Sequence, residues 1–211
     1  MNSKVLVELN QSQQISEHDS FTPARYRSFV RHFAPGTKDV LDVGCNTGRG
    51  GAVMKSRLPE LRITGLDCVP VRLEQVDTNV YQNTVCGFSF DIPLPAGSFD
   101  AIVGGEFIEH VPPEHVFPTL CELFRLLRLR GRLLLTTPNP RYLKNYIQRR
   151  SVMLDPSHVS QHFPASMKRR LQDVGFSKIR IYGSGRVSSI VGPYWPVFPV
   201  FGSYLVVASK W

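Results

Sequence analysis

Short apolar runs alternate with stretches of helical periodicity along most of the chain. From Phe21 to Phe33, the residues Tyr26, Phe29, Val30 and Phe33 recur at helical spacing, which predicts a helix covering the edge of a sheet and ended by Pro35-Gly36. Strands are predicted over Asp39 to Cys45, Leu61 to Asp67, Thr84 to Phe90, Ala101 to Gly105 and Arg132 to Thr137. Helices are predicted between them over Thr47 to Leu58, Pro70 to Val80 and Glu114 to Arg128, the last with Leu120, Leu123, Phe124 and Leu127 on one face. A long segment rich in Pro, Asn, Arg and His follows, from Pro138 to Gln161. A proline-started helix then runs from Pro164 to Val174 and is capped by Gly175. Two strands, Ser177 to Tyr182 and Tyr204 to Ser209, flank a Pro- and aromatic-rich loop over Val191 to Phe201. Residues 1 to 20 are polar and weakly patterned and read as a loose lead-in, with residues 21 to 211 as a single domain. This alternation predicts an α/β fold in three layers: a doubly wound, mostly parallel sheet that binds ligands at the C-terminal ends of its strands.

The sharpest punctuation lies in Val40-Leu41-Asp42-Val43-Gly44-Cys45-Asn46-Thr47-Gly48-Arg49-Gly50-Gly51. A buried strand ends there and breaks into glycines, and the helix that follows points its first N–H groups at whatever lies against the turn. That is a nucleotide-type cofactor loop. A dinucleotide fingerprint needs glycine two positions after Gly44, where this chain has Asn46. Asp42 would repel a pyrophosphate, whereas it suits a cofactor carrying an ammonium and a sulfonium. Asp67, at the end of the second strand, can accept from both hydroxyls of a ribose. The cofactor expected is S-adenosylmethionine, with Gly44, Cys45, Asn46, Gly48 and Cys68 lining its site.

Composition narrows the class further. At 211 residues with 42% hydrophobic content, the chain is long enough for a three-layer core. Cys45, Cys68, Cys86 and Cys121 are widely spaced and form no C-x-x-C pair, which argues against a disulfide framework or zinc site and for a cytoplasmic location. No apolar run has the length of a membrane span, and none resembles a signal peptide. The net charge of +8 is spread over several helices, so a nucleic-acid partner is the lesser reading.

Leu41-Asp42-Val43-Gly44-Cys45-Asn46-Thr47-Gly48 resembles the first motif of the class I S-adenosylmethionine-dependent methyltransferases, and Gly65-Leu66-Asp67 their second. Pro93 to Val103 is similar to their third and fourth. The stretches Gly105-Glu106-Phe107-Ile108-Glu109-His110-Val111, Arg125 to Asn139 and Asp155-Pro156-Ser157-His158 are similar to a subgroup. That subgroup contains small-molecule and surface-glycan-associated O-methyltransferases. The resemblance covers roughly residues 21 to 210 and implies a Rossmann-like sheet of seven strands, the last antiparallel. Two departures stand out. Leu129-Arg130-Gly131 replaces the usual Pro-Gly-Gly, and the acid that touches adenine is displaced: Phe88 occupies its register, with Asp91 three residues later as the substitute.

Methyl transfer from a sulfonium is an in-line displacement, so the protein aligns the nucleophile and, for a hydroxyl, removes its proton. His158, His110 and Glu106 are the candidate bases, and Glu106 doubles as a cofactor contact. Glu106, Glu109 and His110 also resemble the divalent-ion pattern of ubiquinone-pathway O-methyltransferases; Mg²⁺ there ranks below a simple capping role for Glu109 and His110. His158 and His162 have metal-like spacing but no accompanying pair. Arg141, Lys144, Arg149 and Arg150 offer a grip for a phosphate on an acceptor, or a solvated face. The acceptor expected is a small molecule or a glycan or lipid-linked sugar, methylated on oxygen. The competing readings are an RNA methyltransferase and a non-catalytic S-adenosylmethionine-binding subunit. Oligomeric state is left open.

Overall fold

The computed structural model describes residues 3–12, 20–154, 157–185, 188, 192 and 198–211. Its centre is a seven-stranded sheet: β1 (Asp39–Val43), β2 (Arg62–Asp67), β3 (Tyr81–Cys86), β4 (Phe99–Gly105), β5 (Leu127–Pro138), β6 (Ser177–Ser184) and β7 (Ser203–Ser209). The strands lie in the order β3-β2-β1-β4-β5-β7-β6. All pairings among β1 to β5 are parallel, and β7 runs antiparallel to both β5 and β6. The doubly wound sheet with an antiparallel last strand is therefore as expected. Helices α1 (Ser3–Gln11), α2 (Thr22–Arg31), α3 (Arg49–Arg57), α4 (Pro70–Leu73), α5 (Pro113–Leu126), α6 (Leu143–Ile147) and α7 (Pro164–Val174) surround it.

Each face of the sheet carries its own core, and the two-residue repeat of the strands sorts residues between them. Leu41 and Val43 of β1 join Leu120, Leu123 and Leu171 of α5 and α7 on one face. Val40 joins Tyr26, Phe29 and Met54 of α2 and α3 on the other. Asp42 shares the parity of Val40, so it is directed into the second core. Strand order reverses between β1 and β4, the switch point at which such sheets open a crevice.

Several boundaries move. The third strand begins at Tyr81, because Asp77 sets a tight turn ahead of it: its Oδ1 accepts from the backbone of Asn79 at 2.8 Å and its carbonyl from Tyr81 at 2.9 Å. Helix α4 ends at Leu73, short of the Val80 expected. Helix α5 stops at Leu126, and residues 127–130 already run in β5, with Arg130 in a left-handed conformation (φ 67°) bonded to the Lys210 carbonyl. The lead-in holds helix α1, whose Leu6 is buried. Helix α2 packs across α3 and β4, not over a sheet edge. Asp155, Pro156 and most of the aromatic loop over 191–201 lie outside the described residues.

Two glycines at the start of α3 are set by close approach. A Cβ on Gly50 would lie 2.1 Å from the ring of Tyr26, and one on Gly51 2.3 Å from that of Tyr81. An alanine in a helix interior normally stabilises by about 1 kcal/mol over glycine. Gly51→Ala should reverse that sign and destabilise by about 2 kcal/mol through overpacking. Gly87→Ala, where the nearest atom is 3.8 Å away, should change little. Urea unfolding of both variants checks the contrast.

Candidate active site

A cavity of about 380 Å³ opens at the C-terminal ends of β1, β2, β3 and β4. Its floor is the loop after β1, with Gly44, Cys45, Asn46 and Thr47; Leu66, Asp67 and Cys68 follow from β2, and Gly87 to Phe90 from beyond β3. Gly105, Glu106 and Phe107 close it from β4, and His110 and His158 lie at its wall. Helices α1 and α2 cover it with Leu6, Asn10, Arg25 and Tyr26.

The floor is shaped by backbone bonds. The amides of Gly44 and Cys45 both donate to the Leu66 carbonyl, at 2.8 and 3.1 Å. Gly44 is left-handed (φ 69°), and a Cβ there would lie 2.9 Å from the Phe107 ring. Asp67 ties the loop down: its Oδ2 accepts from the Asn46 amide and its Oδ1 from the Val69 amide, each at 2.9 Å. Two lone pairs per oxygen leave it capacity for further donors. Burial raises its pKa, and those amide bonds oppose the shift.

Asp42 does not line the cavity. It is fully buried beneath the floor, where its Oδ1 accepts from the Tyr26 phenol at 2.8 Å and its Oδ2 from the Tyr81 phenol at 2.6 Å. The direct Coulomb contact expected between this acid and a sulfonium therefore gives way to a structural role, because strand parity turns the side chain into the core. Gly48 is likewise a packing residue: a Cβ there would press on Tyr81 and Val76. Asp91 is exposed and outside the cavity, and Phe88, Ser89 and Phe90 stand where an adenine contact was sought. Cys45 and Cys68 do line it; burial pushes the Cys68 thiol up to about 12 and Cys45 up as well, so neither is a thiolate. The four cysteines are free.

Beyond β4 the chain makes a short turn over Ile108–His110, and the cover segment docks onto it. The Glu109 carbonyl accepts from the amides of Val159 and Ser160 at 3.0 and 3.1 Å. This brings the ring of His158 to 5.0 Å from that of His110. The Nδ1 of His110 faces the Ser157 carbonyl at 3.0 Å, and that of His158 faces the Val152 carbonyl. A carbonyl can only accept, so in the neutral rings both Nδ1 atoms carry the proton and both Nε2 atoms the lone pair. Glu109 is buried, and neither of its oxygens has a hydrogen-bond partner among the described residues. Burial, then the charge of Glu106, raises its pKa well above the usual range. Ligand atoms of Glu109, His110 and His158 all lie within 4.8 Å of one another.

Glu106 stands apart from this group. It is left-handed (φ 52°), its Oε2 accepts from Ser203 at 3.2 Å, and its Oε1 lies 3.7 Å from the Arg25 guanidinium. His162 leaves the site altogether: its Nε2 bonds the Ile108 carbonyl at 3.1 Å, and burial lowers its pKa to about 4. It forms no metal pair with His158. Sequence patterning missed Tyr26, Tyr81, Arg25 and Ser203, and marked Phe88 only as the residue in the register of the usual acid. Tyr26 was visible only as a helix-face aromatic, and nothing local marks Tyr81, Arg25 or Ser203.

Comparison with known proteins bears on the fold and on the matched domain. Residues 40–131 match the family described as "Methyltransferase domain". A probable S-adenosylmethionine-dependent methyltransferase of Mycolicibacterium smegmatis is 29% identical over 66% of this chain and 52% of its own length. A malonyl-[acyl-carrier protein] O-methyltransferase of Laribacter hongkongensis is 31% identical over 63% of this chain and 47% of its own. The chain thus spans about half the length of these curated relatives. Among solved structures, a SAM-dependent methyltransferase from Archaeoglobus fulgidus superposes with a TM-score of 0.71 at 21% identity, covering 90% of this chain and 93% of its own.

The carboxyl of Asp42 is pushed up to about 7 by burial, against the pull of the two phenols. A pKa raised above the unfolded value of 3.8 means that the folded form holds its proton more tightly. Its contribution to stability is complete below about pH 4 and is lost as pH rises through 7, by at most about 4 kcal/mol. The thermal midpoint of the free protein should therefore fall over that range. Asp42→Asn, which keeps the shape without the titration, should flatten the fall when midpoints are measured from pH 4 to 7.

Proposed function

We propose that this chain, whose fold and matched domain are those of a class I S-adenosylmethionine-dependent methyltransferase, methylates an oxygen of a small-molecule or lipid-linked sugar acceptor. S-adenosylmethionine is the methyl donor. The observation that carries the reading is the placement of Asp67 and the Gly44-Cys45-Asn46 floor at one part of a cavity whose wall holds His110 and His158.

In this reading Asp67 accepts from the ribose hydroxyls, using the lone pairs left by its two amide bonds. Phe88, Ser89 and Phe90 flank the adenine in place of an acid. Glu106 offers a carboxylate to the donor's ammonium, its position held by Arg25 and Ser203. The sulfonium leaves as a neutral thioether, so the developing demand is removal of the acceptor's proton. His158 is the base. The Val152 carbonyl holds its Nδ1 proton and leaves Nε2 as acceptor, and His110 beside it is the alternate. The name of the Laribacter relative supports transfer to oxygen.

A second reading is favoured by the cluster at Glu109. A buried acid with no hydrogen-bond partner for either oxygen among the described residues, beside two imidazoles whose Nε2 atoms carry lone pairs, suits a cation. The group that converges is Glu109, His110 and His158, not the Glu106, Glu109 and His110 set expected, because Glu106 is tied to Arg25. Two nitrogen ligands fit a transition-series ion better than Mg²⁺. Such an ion would supply Lewis acidity to an acceptor oxygen.

Calorimetry should show S-adenosylmethionine binding that weakens at least about tenfold in Asp67→Ala, through loss of charge-assisted hydrogen bonds. His158→Ala should keep donor binding and lose most transfer of labelled methyl to an extract; full transfer in that variant excludes the base. Transfer indifferent to chelation by EDTA disposes of the cation, and loss of transfer restored by Mn²⁺ but not by Mg²⁺ supports it.

A further inference from the structure

The segment that brings His158 to the cavity carries a second surface on its outer side. Helix α6 buries none of its residues. Leu143, Tyr146 and Ile147 are 48%, 82% and 70% exposed, and their i, i+3, i+4 spacing puts them on one face. Met153 adds to the exposed apolar surface a few residues on. Single exposed aliphatics are ordinary, but several on one short outward-facing segment form a patch that marks a contact surface.

Cations frame that patch. Arg141, Lys144, Arg149 and Arg150 are all exposed, and no Asp or Glu occurs between Glu122 and Asp155. Positive charge and apolar tips on the same outer surface match the two chemistries that an anionic bilayer offers in one plane: phosphate headgroups and the acyl boundary beneath them. RNA would satisfy the cations but leave Leu143 and Ile147 wet, since branched aliphatics do not stack on bases as aromatics do. A protein partner would need a dedicated acidic and apolar counterpart.

We propose that residues 141–153 dock the protein on an anionic lipid surface and so hold its cavity against acceptors carried there. The placement is tight: the Val152 carbonyl contacts Nδ1 of His158, and His158 lines the cavity. Docking is peripheral, since no helix among the described residues is long and apolar enough to cross a membrane. The inference rests on the methyltransferase reading for the reaction served, but binding to lipid does not depend on it.

Co-sedimentation with vesicles of phosphatidylcholine alone, and of phosphatidylcholine mixed with phosphatidylglycerol, tests the proposal. The protein should bind only the anionic vesicles and release as salt rises. Tyr146→Asp/Ile147→Asp should lower partitioning at least about tenfold, and Arg149→Gln/Arg150→Gln about twenty-five-fold, taking about fivefold for each basic residue near the surface. Both variants should keep the wild-type thermal midpoint and S-adenosylmethionine affinity, because the residues changed are exposed. Equal binding to neutral vesicles, absence of binding to anionic ones, or unchanged partitioning of the Tyr146/Ile147 variant overturns the proposal. Retention on single-stranded RNA without retention on vesicles overturns it in favour of a nucleic acid. Loss of donor binding by the wild-type protein would count against the methyltransferase reading alone.

Discussion

A buried carboxyl shared by two tyrosines organises the floor of the cavity. Asp42 comes from β1, Tyr26 from α2 and Tyr81 from the start of β3, and the two phenols occupy its two oxygens. Tyr81 also accepts from the Gly51 amide at 2.9 Å, which fixes the first turn of α3 to the same point. An acid in a dry core is costly unless its oxygens are bonded. Each element that supplies a donor is thereby held in one place, and the loop between β1 and α3 has little freedom left. The glycines of that loop serve this arrangement as much as they serve a ligand: Gly48, Gly50 and Gly51 clear space for Tyr26, Val76 and Tyr81.

The histidine-bearing side of the cavity is built differently. Its groups are brought together by hydrogen bonds to the backbone of one short turn, residues 108–111. The Glu109 carbonyl receives two amides of the cover segment, and the Ser160 hydroxyl reaches the Val111 carbonyl at 2.8 Å. Two carbonyls then fix the tautomers of His110 and His158. The outcome is two neutral imidazoles beside a buried acid, Glu109, whose oxygens have no hydrogen-bond partner among the described residues and whose pKa is raised by burial, so the site is short of positive charge. A base for a hydroxyl acceptor and a cation site are both consistent with that shortage, and the chelation and His158 experiments separate them.

The same cover segment joins three roles within residues 139–162. Its inner side contributes His158, its backbone holds the turn after β4, and its outer side exposes the apolar and basic residues of α6. A surface event at α6 and the geometry of the cavity are thus covalently near each other. This gives the proposed lipid contact a direct bearing on the reaction without any long-range coupling.

Much of the fold was legible in the chain alone. Apolar runs such as Val40-Leu41 and Leu133 to Leu135 suit burial on both faces of a sheet, and their alternation with helical periodicity pointed to a doubly wound fold. The break from Asp42 into Gly44 and Gly48 marked the crevice, and Asp67 sits at its edge as the end of a strand should. The tertiary structure decided the roles of individual side chains. Parity along β1, together with partners 16 and 39 residues away, made Asp42 a core anchor and not a ligand contact. Partners about fifty residues apart, at Glu109 and Val159, decided that His158 and not Glu106 stands beside His110. Local patterning reports which residues must be buried or must turn. Which polar atoms meet depends on distant segments closing on one another, and that is settled only by packing.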